Sequence, residues 1–76
     1  MIIRTAITPD VPAVASLERS TFRAQAYPAV FLRQAVDLWP DLICVADDNE
    51  AIQGYALGAP SASPNDAWIL ALAVRP

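Results

Sequence analysis

The sequence predicts an α+β fold, a mainly antiparallel sheet with two helices in the order β-α-α-β-β-β. Three patterns predict it. In two segments that begin near prolines, apolar residues recur three and four positions apart, as they do on one face of a helix. Two short apolar runs flank a polar turn, which is typical of a β-hairpin. A last run of eight apolar residues, Ala67 to Val74, has the length and composition of a buried strand.

The first half of the chain is expected to form one strand and two helices. The β-rich segment Ile2 to Ile7 predicts the strand. Thr8-Pro9-Asp10 predicts a helix start, because its threonine or aspartate can cap free amides and its proline suits a first turn. That helix should end near Phe22, and a connector from Arg23 to Tyr27 should follow. A second helix should begin at Pro28, end before Pro40 and present one apolar face, formed by Phe31, Ala35, Leu38 and Trp39.

The second half is expected to form three strands. Leu42 to Ala46 and Ile52 to Leu57 should pair as a hairpin around the polar turn Asp47 to Glu50. Ala59 to Asp66 contains two prolines and two serines and should be a loop. The final strand, Ala67 to Val74, is apolar at every position, which is the pattern of a sheet buried on both faces.

The composition sets limits on the size and the stability of the fold. With 76 residues the chain forms a single domain at most, and a domain of this size buries only about 60% of its unfolded surface. One cysteine, Cys44, makes no internal disulfide, and the absence of histidine rules out the ordinary zinc spacings. The chain is nevertheless 55% hydrophobic and only 17% charged. We therefore expect residues 1–76 to be one incomplete domain, whose core is completed by further sequence or by another subunit.

The charge and the hydropathy exclude several classes of partner. The net charge is −3, lysine is absent, and the five arginines are scattered. Nucleic acids and anionic membranes both need a cationic surface, so neither is expected as a partner. The N-terminus lacks the apolar run of a signal peptide, and the longest apolar run has eight residues, far short of the roughly 20 that cross a bilayer. A cytoplasmic chain is the expectation.

The order of elements, with the residues at their corners, resembles the N-terminal half of the GCN5-related N-acetyltransferase (GNAT) superfamily. The likeness extends from Met1 to Pro76. It rests on "RTAITPDVPAVASLERSTF", the aromatic-proline connector "AYP", the hairpin "LICVADDNEAIQGYALG" and the closing "LALAVRP". In that family the fourth strand commonly ends in Leu-x-Val followed by Pro or a similar residue, and an Arg/Gln-x-x-Gly-x-Gly/Ala loop opens the next helix. The section "YPAVFLRQAVDLWPDLICVAD" is similar to the small-amine and arylalkylamine branch.

The resemblance implies acetyl transfer from acetyl-CoA to a primary amine, without an acyl-enzyme and without a metal. In the family the fourth strand bulges, and its exposed backbone pairs with the pantetheine arm. Carried over by motif, the cofactor-binding positions are Leu72, Ala73 and Val74. The acceptor pocket of the family lies at the connector between the helices, where Phe22 and Tyr27 stand. The competing interpretation is that these two aromatic residues only cap the core, and we prefer it.

Other polar residues are weaker candidates for a catalytic role. Glu18 lies beside an apolar helix face and is either a solvated charge, which we prefer, or a general base. Cys44 has no histidine to activate it, and Tyr55 can reach a polar partner from the core. The turn Asp47 to Glu50 lacks the spaced ligands and the glycine of a calcium loop, so a solvated turn is expected there.

Two further expectations follow from comparison with the family pattern. The arylalkylamine branch carries histidines on the fourth strand, whereas Trp68 and Leu70 stand in that stretch, and neither moves a proton. The two glycines, Gly54 and Gly58, are not followed by a helix start, so the phosphate-binding loop is missing. The isolated chain should therefore be inactive, and it should self-associate or dock on a partner through its apolar last strand. The alternative function is a non-catalytic interaction module that uses the same strand.

Overall fold

Both helices pack on one face of a four-stranded antiparallel sheet. The computed structural model describes all 76 residues. The elements are β1 (Ile2–Thr5), α1 (Val11–Phe22), α2 (Ala29–Leu38), β2 (Ile43–Asp47), β3 (Ile52–Pro60) and β4 (Ala67–Val74). Short 3₁₀ turns at Thr8–Asp10, Arg23–Gln25 and Pro40–Leu42 lead into or out of the helices. The predicted α+β fold and the order of its elements are confirmed.

The strands lie in chain order, β1-β2-β3-β4, and each is antiparallel to its neighbour. At two places in the sheet, one strand has an extra residue that has no partner in the neighbouring strand. Ala46 pairs with Gly54 and Asp47 with Ile52, so Gln53 is extra in β3. Leu57 pairs with Ala71 and Gly58 with Ile69, so Leu70 is extra in β4. Such bulges bend the strand and re-aim the groups around them.

The core is formed by residues from both helices and from the inner face of the sheet. Val14 and Leu17 of α1 are buried, as their helical spacing predicts. In α2 the buried positions are Leu32 and Ala35, both fully inaccessible to solvent. The prediction that Leu38 lies on the buried face is wrong, since Leu38 is 64% exposed. Leu32 lies three positions before Ala35 on the same side of α2, so Leu32, and not Leu38, completes the buried face of this helix.

The boundaries differ from the predicted ones mainly in the last hairpin. β3 extends to Pro60, which pairs with Ala67, and the Ser61 N–H donates to the Asp66 carbonyl at 3.2 Å. The loop is therefore only Ser61 to Asp66, two residues shorter than predicted from Ala59. β1 ends at Thr5 because the chain turns into the 3₁₀ turn that precedes α1. β4 has the predicted bounds.

The outer face of the sheet carries no helix. It is an apolar surface that includes Ile3, Cys44, Ala56, Leu72 and Val74, and these residues line a shallow hollow of about 150 Å³. Leu72 is 63% exposed and Val74 67% exposed. The expectation that β4 is buried on both faces is therefore wrong for this chain. In β4 the inner-face residues Ala71 and Ala73 are the ones that are buried.

No helix of the structure is both long enough and apolar enough to cross a membrane.

An ionic cluster around Arg4 ties β1 to the start of α1 and to the end of β2. The guanidinium donates to both carboxylate oxygens of Asp10, at 2.7 and 3.0 Å, and to Asp47 Oδ2 at 3.0 and 3.1 Å. Asp10 Oδ2 also accepts the Ile7 N–H at 2.9 Å. The Asp10 side chain thus turns back toward the preceding turn, and α1 has no side-chain cap. The hydrogen bonds from Arg4 hold the pKa of Asp10 below its ordinary value.

Replacing Asp10 by asparagine should destabilise the chain by about 1 to 2 kcal/mol. It should also make the free energy of unfolding less dependent on pH in the acidic range. Because the pKa of Asp10 is lower in the folded state, its contribution is complete above the unfolded pKa of about 4 and is lost as the pH falls below it. Urea unfolding at neutral pH and at successive acidic pH values measures both effects. If the variant loses stability with acid as steeply as the wild type, Asp10 is not the group responsible.

Candidate functional site

Strand β4 is one of the two edge strands of the sheet, and on its outer side, called the open edge below, its backbone groups have no partner in this chain. The Arg75 N–H donates to the Gln53 carbonyl at 2.8 Å, which marks these two residues as a hydrogen-bonded pair. In an antiparallel ladder such pairs alternate along the strand. Ala73 and Ala71 therefore bond to β3, whereas the peptide N–H and C=O of Leu72 and Val74 point away from β3 toward the open edge.

The bulge at Leu70 joins this edge to the connector between the helices. The Tyr27 hydroxyl donates to the Leu70 carbonyl at 3.3 Å, and the Tyr27 ring packs on Phe31 with ring centroids 4.7 Å apart. A hollow of about 120 Å³ lies between the connector and the bulge. It is lined by six residues, namely Glu18, Phe22, Gln25, Tyr27, Leu70 and Ala71. The hollow therefore lies beside β4, next to Leu72 and Val74, whose backbone N–H and C=O groups are free.

Glu18 is fixed inside the protein beside this hollow. The residue is 1% exposed. One carboxylate oxygen accepts the Tyr27 N–H at 2.8 Å, and the other accepts the Tyr55 hydroxyl in a short hydrogen bond. The preferred interpretation of Glu18 as a solvated helix charge is therefore wrong. The carboxylate holds the connector against the sheet by bonding to one residue of each.

Tyr55 stays neutral in this arrangement. Burial, followed by the hydrogen bond and the negative charge of Glu18, raises the pKa of the Tyr55 phenol well above its ordinary value of 10.0. A phenol that is so reluctant to ionise is a hydrogen-bond donor and not a base. The expectation that Tyr55 reaches a polar partner from the core is confirmed.

The connector begins with a strained backbone. Arg23, the residue after α1, has φ 54° and ψ −117°, a region that only glycine adopts readily. Its N–H still donates to the Arg19 carbonyl, which closes the last turn of α1. Strain of this kind costs about 1 to 3 kcal/mol and persists where the surroundings enforce it. Here it redirects the chain so that Phe22, Gln25 and Tyr27 face one hollow.

Replacing Arg23 by glycine should stabilise the chain by about 1 kcal/mol, because the strain is relieved at some cost in unfolded-state entropy. The matched control is Arg19→Gly, one turn earlier in α1, which should destabilise by about 1 kcal/mol since glycine is a poor helix former. Chemical denaturation of the two variants measures the opposite signs. Destabilisation by both would show that Arg23 is not strained.

The predicted site residues fall into two neighbouring groups. Phe22 and Tyr27 come together in the hollow, and Tyr27 also packs on the core. Leu72 and Val74 lie on the open edge, with their side chains on the outer face, whereas Ala73 is buried. Ala73 bonds to β3, so of the three predicted cofactor positions only Leu72 and Val74 offer free backbone groups.

The other candidates lie apart from this hollow. Cys44 is half-buried on the outer face. The acidic turn binds its own backbone: Asp48 Oδ1 accepts the N–H groups of Glu50 and Ala51 at 2.9 and 2.8 Å, and Asp47 accepts that of Asn49. The hydrogen bonds from the Ala51 and Glu50 N–H groups lower the pKa of Asp48. Trp68 is 66% exposed on the strand segment before the bulge.

Of the six residues that line the hollow, only Phe22 and Tyr27 were predicted as part of a substrate pocket. Gln25 and Leu70 carry no chemical signal in the sequence, since their place depends on the 3₁₀ turn and the bulge. Glu18 did carry one. It lies four positions before Phe22 on the same helix face, and a carboxylate on an apolar face needs partners such as Tyr55.

Comparison with known proteins gives a structural likeness. No protein-family model matches the sequence, and no curated protein matches it. Among solved structures, Naa20 from Chaetomium thermophilum, a GNAT N-acetyltransferase crystallised with a bisubstrate analogue, is similar with a TM-score of 0.81 and 25% sequence identity. The likeness covers 100% of this chain and 46% of the Naa20 chain.

This chain thus spans about half the length of that neighbour, and all of it is included in the match. In this chain the matched part comprises the two helices with their connector and the four antiparallel strands. The edge strand β4 of this chain carries a bulge. The chain has a GNAT-like α+β fold that matches part of a GNAT acyltransferase.

Proposed function

We propose that this chain supplies the acceptor side and one wall of the acyl-CoA cleft of an N-acetyltransferase that acetylates primary amines. The observation that carries the proposal is the bulged edge of β4. Its free backbone groups at Leu72 and Val74 follow directly after Leu70 and Ala71, which line the hollow of the connector. The pantetheine arm of the acetyl donor along that edge and the acceptor amine in that hollow would lie side by side. The likeness to a GNAT N-acetyltransferase supports the same reaction class.

The residues of the edge suit the arm of acetyl-CoA. Pantetheine is an extended chain with two amides, and such chains add to an open strand by backbone hydrogen bonds. Leu72 and Val74 offer both a donor and an acceptor there, next to apolar side chains that are more than half exposed. Acetyl-CoA would supply the acetyl group, activated as a thioester. Gly54 and Gly58 lie inside β3, where neither starts a helix, so these 76 residues would hold the arm but not the pyrophosphate.

The protein groups have two tasks in this reaction. A backbone N–H at the open edge can donate to the thioester oxygen as negative charge develops on it, without reorganising. The hollow positions the amine for attack on the thioester carbonyl. The nitrogen attacks as a neutral amine and forms the new N–C bond, which places the negative charge on the carbonyl oxygen. The C–S bond then breaks, and the leaving thiolate takes up the proton that the nitrogen loses. The proposed acceptor is a small-molecule or peptide amine whose end reaches the hollow.

Calorimetric titration tests this proposal with two donors. Acetyl-CoA and S-acetylpantetheine should bind this chain with similar affinity, with Kd on the order of 1 mM, because the shared pantetheine arm supplies the contacts. A much stronger interaction with acetyl-CoA would show that a phosphate site exists among these residues. If neither compound binds, the cleft wall has been wrongly placed.

A second candidate function is an interaction module that pairs with a second copy of itself through β4. The observation that favours it is the absence of any charged residue from Ala67 to Val74, so two copies of this edge can approach without repulsion. An open strand of this kind is a template for pairing. Antiparallel pairing of two β4 strands would also join the two apolar outer faces, each with Leu72 and Val74 exposed, into one surface.

Sedimentation velocity at tens of micromolar distinguishes the two candidates, because the pantetheine arm and a second β4 would occupy the same edge. The interaction module predicts a dimer that persists when S-acetylpantetheine is added at millimolar concentration. A dimer that dissociates on addition would favour the acetyltransferase, and a stable monomer would refute pairing through β4.

A further inference from the structure

The bulge at Leu70 decides which peptide groups of β4 reach the open edge. Neighbouring residues of an antiparallel strand direct their N–H and C=O groups to opposite edges, so one extra residue exchanges the two edges for all residues that follow. If the pairing before the bulge continued unbroken, Leu72 would lie opposite Tyr55 and bond to β3. Ala71 and Ala73 would then face the open edge. The position of the bulge therefore frees the Leu72 peptide groups.

One side chain from another element holds this bulge. As an edge strand, β4 pairs with β3 alone, and a bulge locally disrupts the ladder between them. The Tyr27 hydroxyl donates to the Leu70 carbonyl at 3.3 Å, across 43 positions of the sequence. No other side-chain hydrogen bond in the structure reaches β4. The contact thus falls where the ladder is weakest.

Tyr27 is itself held firmly at the connector. Its N–H donates to one carboxylate oxygen of the buried Glu18 at 2.8 Å, and its ring packs on Phe31 of α2 with ring centroids 4.7 Å apart. The other oxygen of Glu18 accepts the Tyr55 hydroxyl, and Tyr55 pairs with Ala73 in the sheet. These contacts lead from β3 through α1 and the connector to β4. The hydroxyl that holds the bulge is therefore fixed relative to β3.

We propose that Tyr27 is a positioning residue, whose hydroxyl holds the β4 bulge so that the Leu72 N–H is presented to the pantetheine arm. This role rests on the proposed function, since the open edge is the donor side of that cleft. Tyr27 acts through the Leu70 carbonyl and does not touch the donor. An edge that is already ordered binds more tightly, because less conformational freedom is lost on binding.

The first test is amide hydrogen exchange of the free chain, measured by NMR for the wild type and Tyr27→Phe, which keeps the ring and removes the hydroxyl. The Ala71 N–H, which bonds to β3 directly after the bulge, should exchange about threefold faster or more in the variant. The amide of Val45, in the middle of the sheet, should change less. A merely structural role would lower global stability and raise both rates alike, so their ratio isolates the effect on the bulge.

The second test is NMR titration of the same proteins with S-acetylpantetheine. Its affinity, read from the Leu72 and Val74 amides, should fall about fivefold in Tyr27→Phe. Ser20→Ala is the matched control for both tests. It removes a hydroxyl that donates to a carbonyl, that of Leu17 at 3.0 Å, within α1 and away from β4. This variant should keep the wild-type ratio of exchange rates and the wild-type affinity.

An unchanged ratio of the Ala71 and Val45 exchange rates in Tyr27→Phe would overturn the role of Tyr27. So would a Tyr27→Phe variant that binds S-acetylpantetheine as tightly as the wild type. Failure of the proposed function gives a different result, because the wild type itself would then not bind S-acetylpantetheine. In that case the exchange rates of the free chain decide by themselves whether Tyr27 holds the bulge.

Discussion

Proline at position 72 should leave the chain folded and abolish its binding of S-acetylpantetheine. The Leu72 N–H points to the open edge, so its removal breaks no hydrogen bond of the sheet. Proline is tolerated on an edge strand in that orientation, and the cost should stay below about 1 kcal/mol. The same N–H is one of the donors that the proposed cleft offers to the pantetheine arm, so the pairing should be lost with it.

Ala73→Pro is the matched control, one residue further along β4. Its N–H faces Tyr55 inside the sheet, so proline there removes a ladder bond and should cost about 3 kcal/mol or more. In a small domain of marginal stability this loss should unfold much of the chain. Circular dichroism and the calorimetric titration measure both variants. A folded Leu72→Pro variant that binds S-acetylpantetheine like the wild type would refute the role of this edge.

Replacing Tyr55 by phenylalanine should destabilise the chain by about 2 to 3 kcal/mol at neutral pH. The variant loses a hydrogen bond to a charged group and leaves the buried Glu18 carboxylate with one donor instead of two. Tyr27→Phe is the matched control. It removes only a longer hydrogen bond, 3.3 Å, to the Leu70 carbonyl and should cost about 1 kcal/mol or less. Thermal or urea unfolding gives the two values.

Tyr55 should also set the response of the wild type to alkaline pH. Its pKa is higher in the folded state than in the unfolded chain, so its contribution is complete below pH 10.0, the ordinary value, and is lost as the pH rises above it. Urea unfolding across that range should show a decline for the wild type and a flatter curve for Tyr55→Phe. Parallel curves for the two proteins would show that another group controls the alkaline decline.

The elements were predictable because their patterns are local. The helical spacing of Val14 and Leu17, the polar turn before β3 and the apolar run of β4 each act within a few residues. The errors came from tertiary packing. Leu32, and not Leu38, faces the core because the rotation of α2 is fixed by its packing on α1 and on the turn Pro40–Leu42, which residue types alone do not record.

The candidate site was predictable only in outline. The resemblance placed Phe22 and Tyr27 at the connector and Leu72 to Val74 on the last strand, and the structure brings both groups to neighbouring positions. The features that join them were missed, because they depend on backbone conformation. The bulge at Leu70 and the positive φ of Arg23 leave no mark in composition or periodicity.

Site-resolved NMR during titration with S-acetylpantetheine tests whether the β4 edge is the wall of an acyl-CoA cleft. We expect saturable shifts for the amides of Leu72 and Val74, which point to the open edge, and much smaller ones for Ala71 and Ala73, which bond to β3. Shifts confined to the outer-face residues Ile3 and Cys44, or no saturable shift in β4, would contradict it.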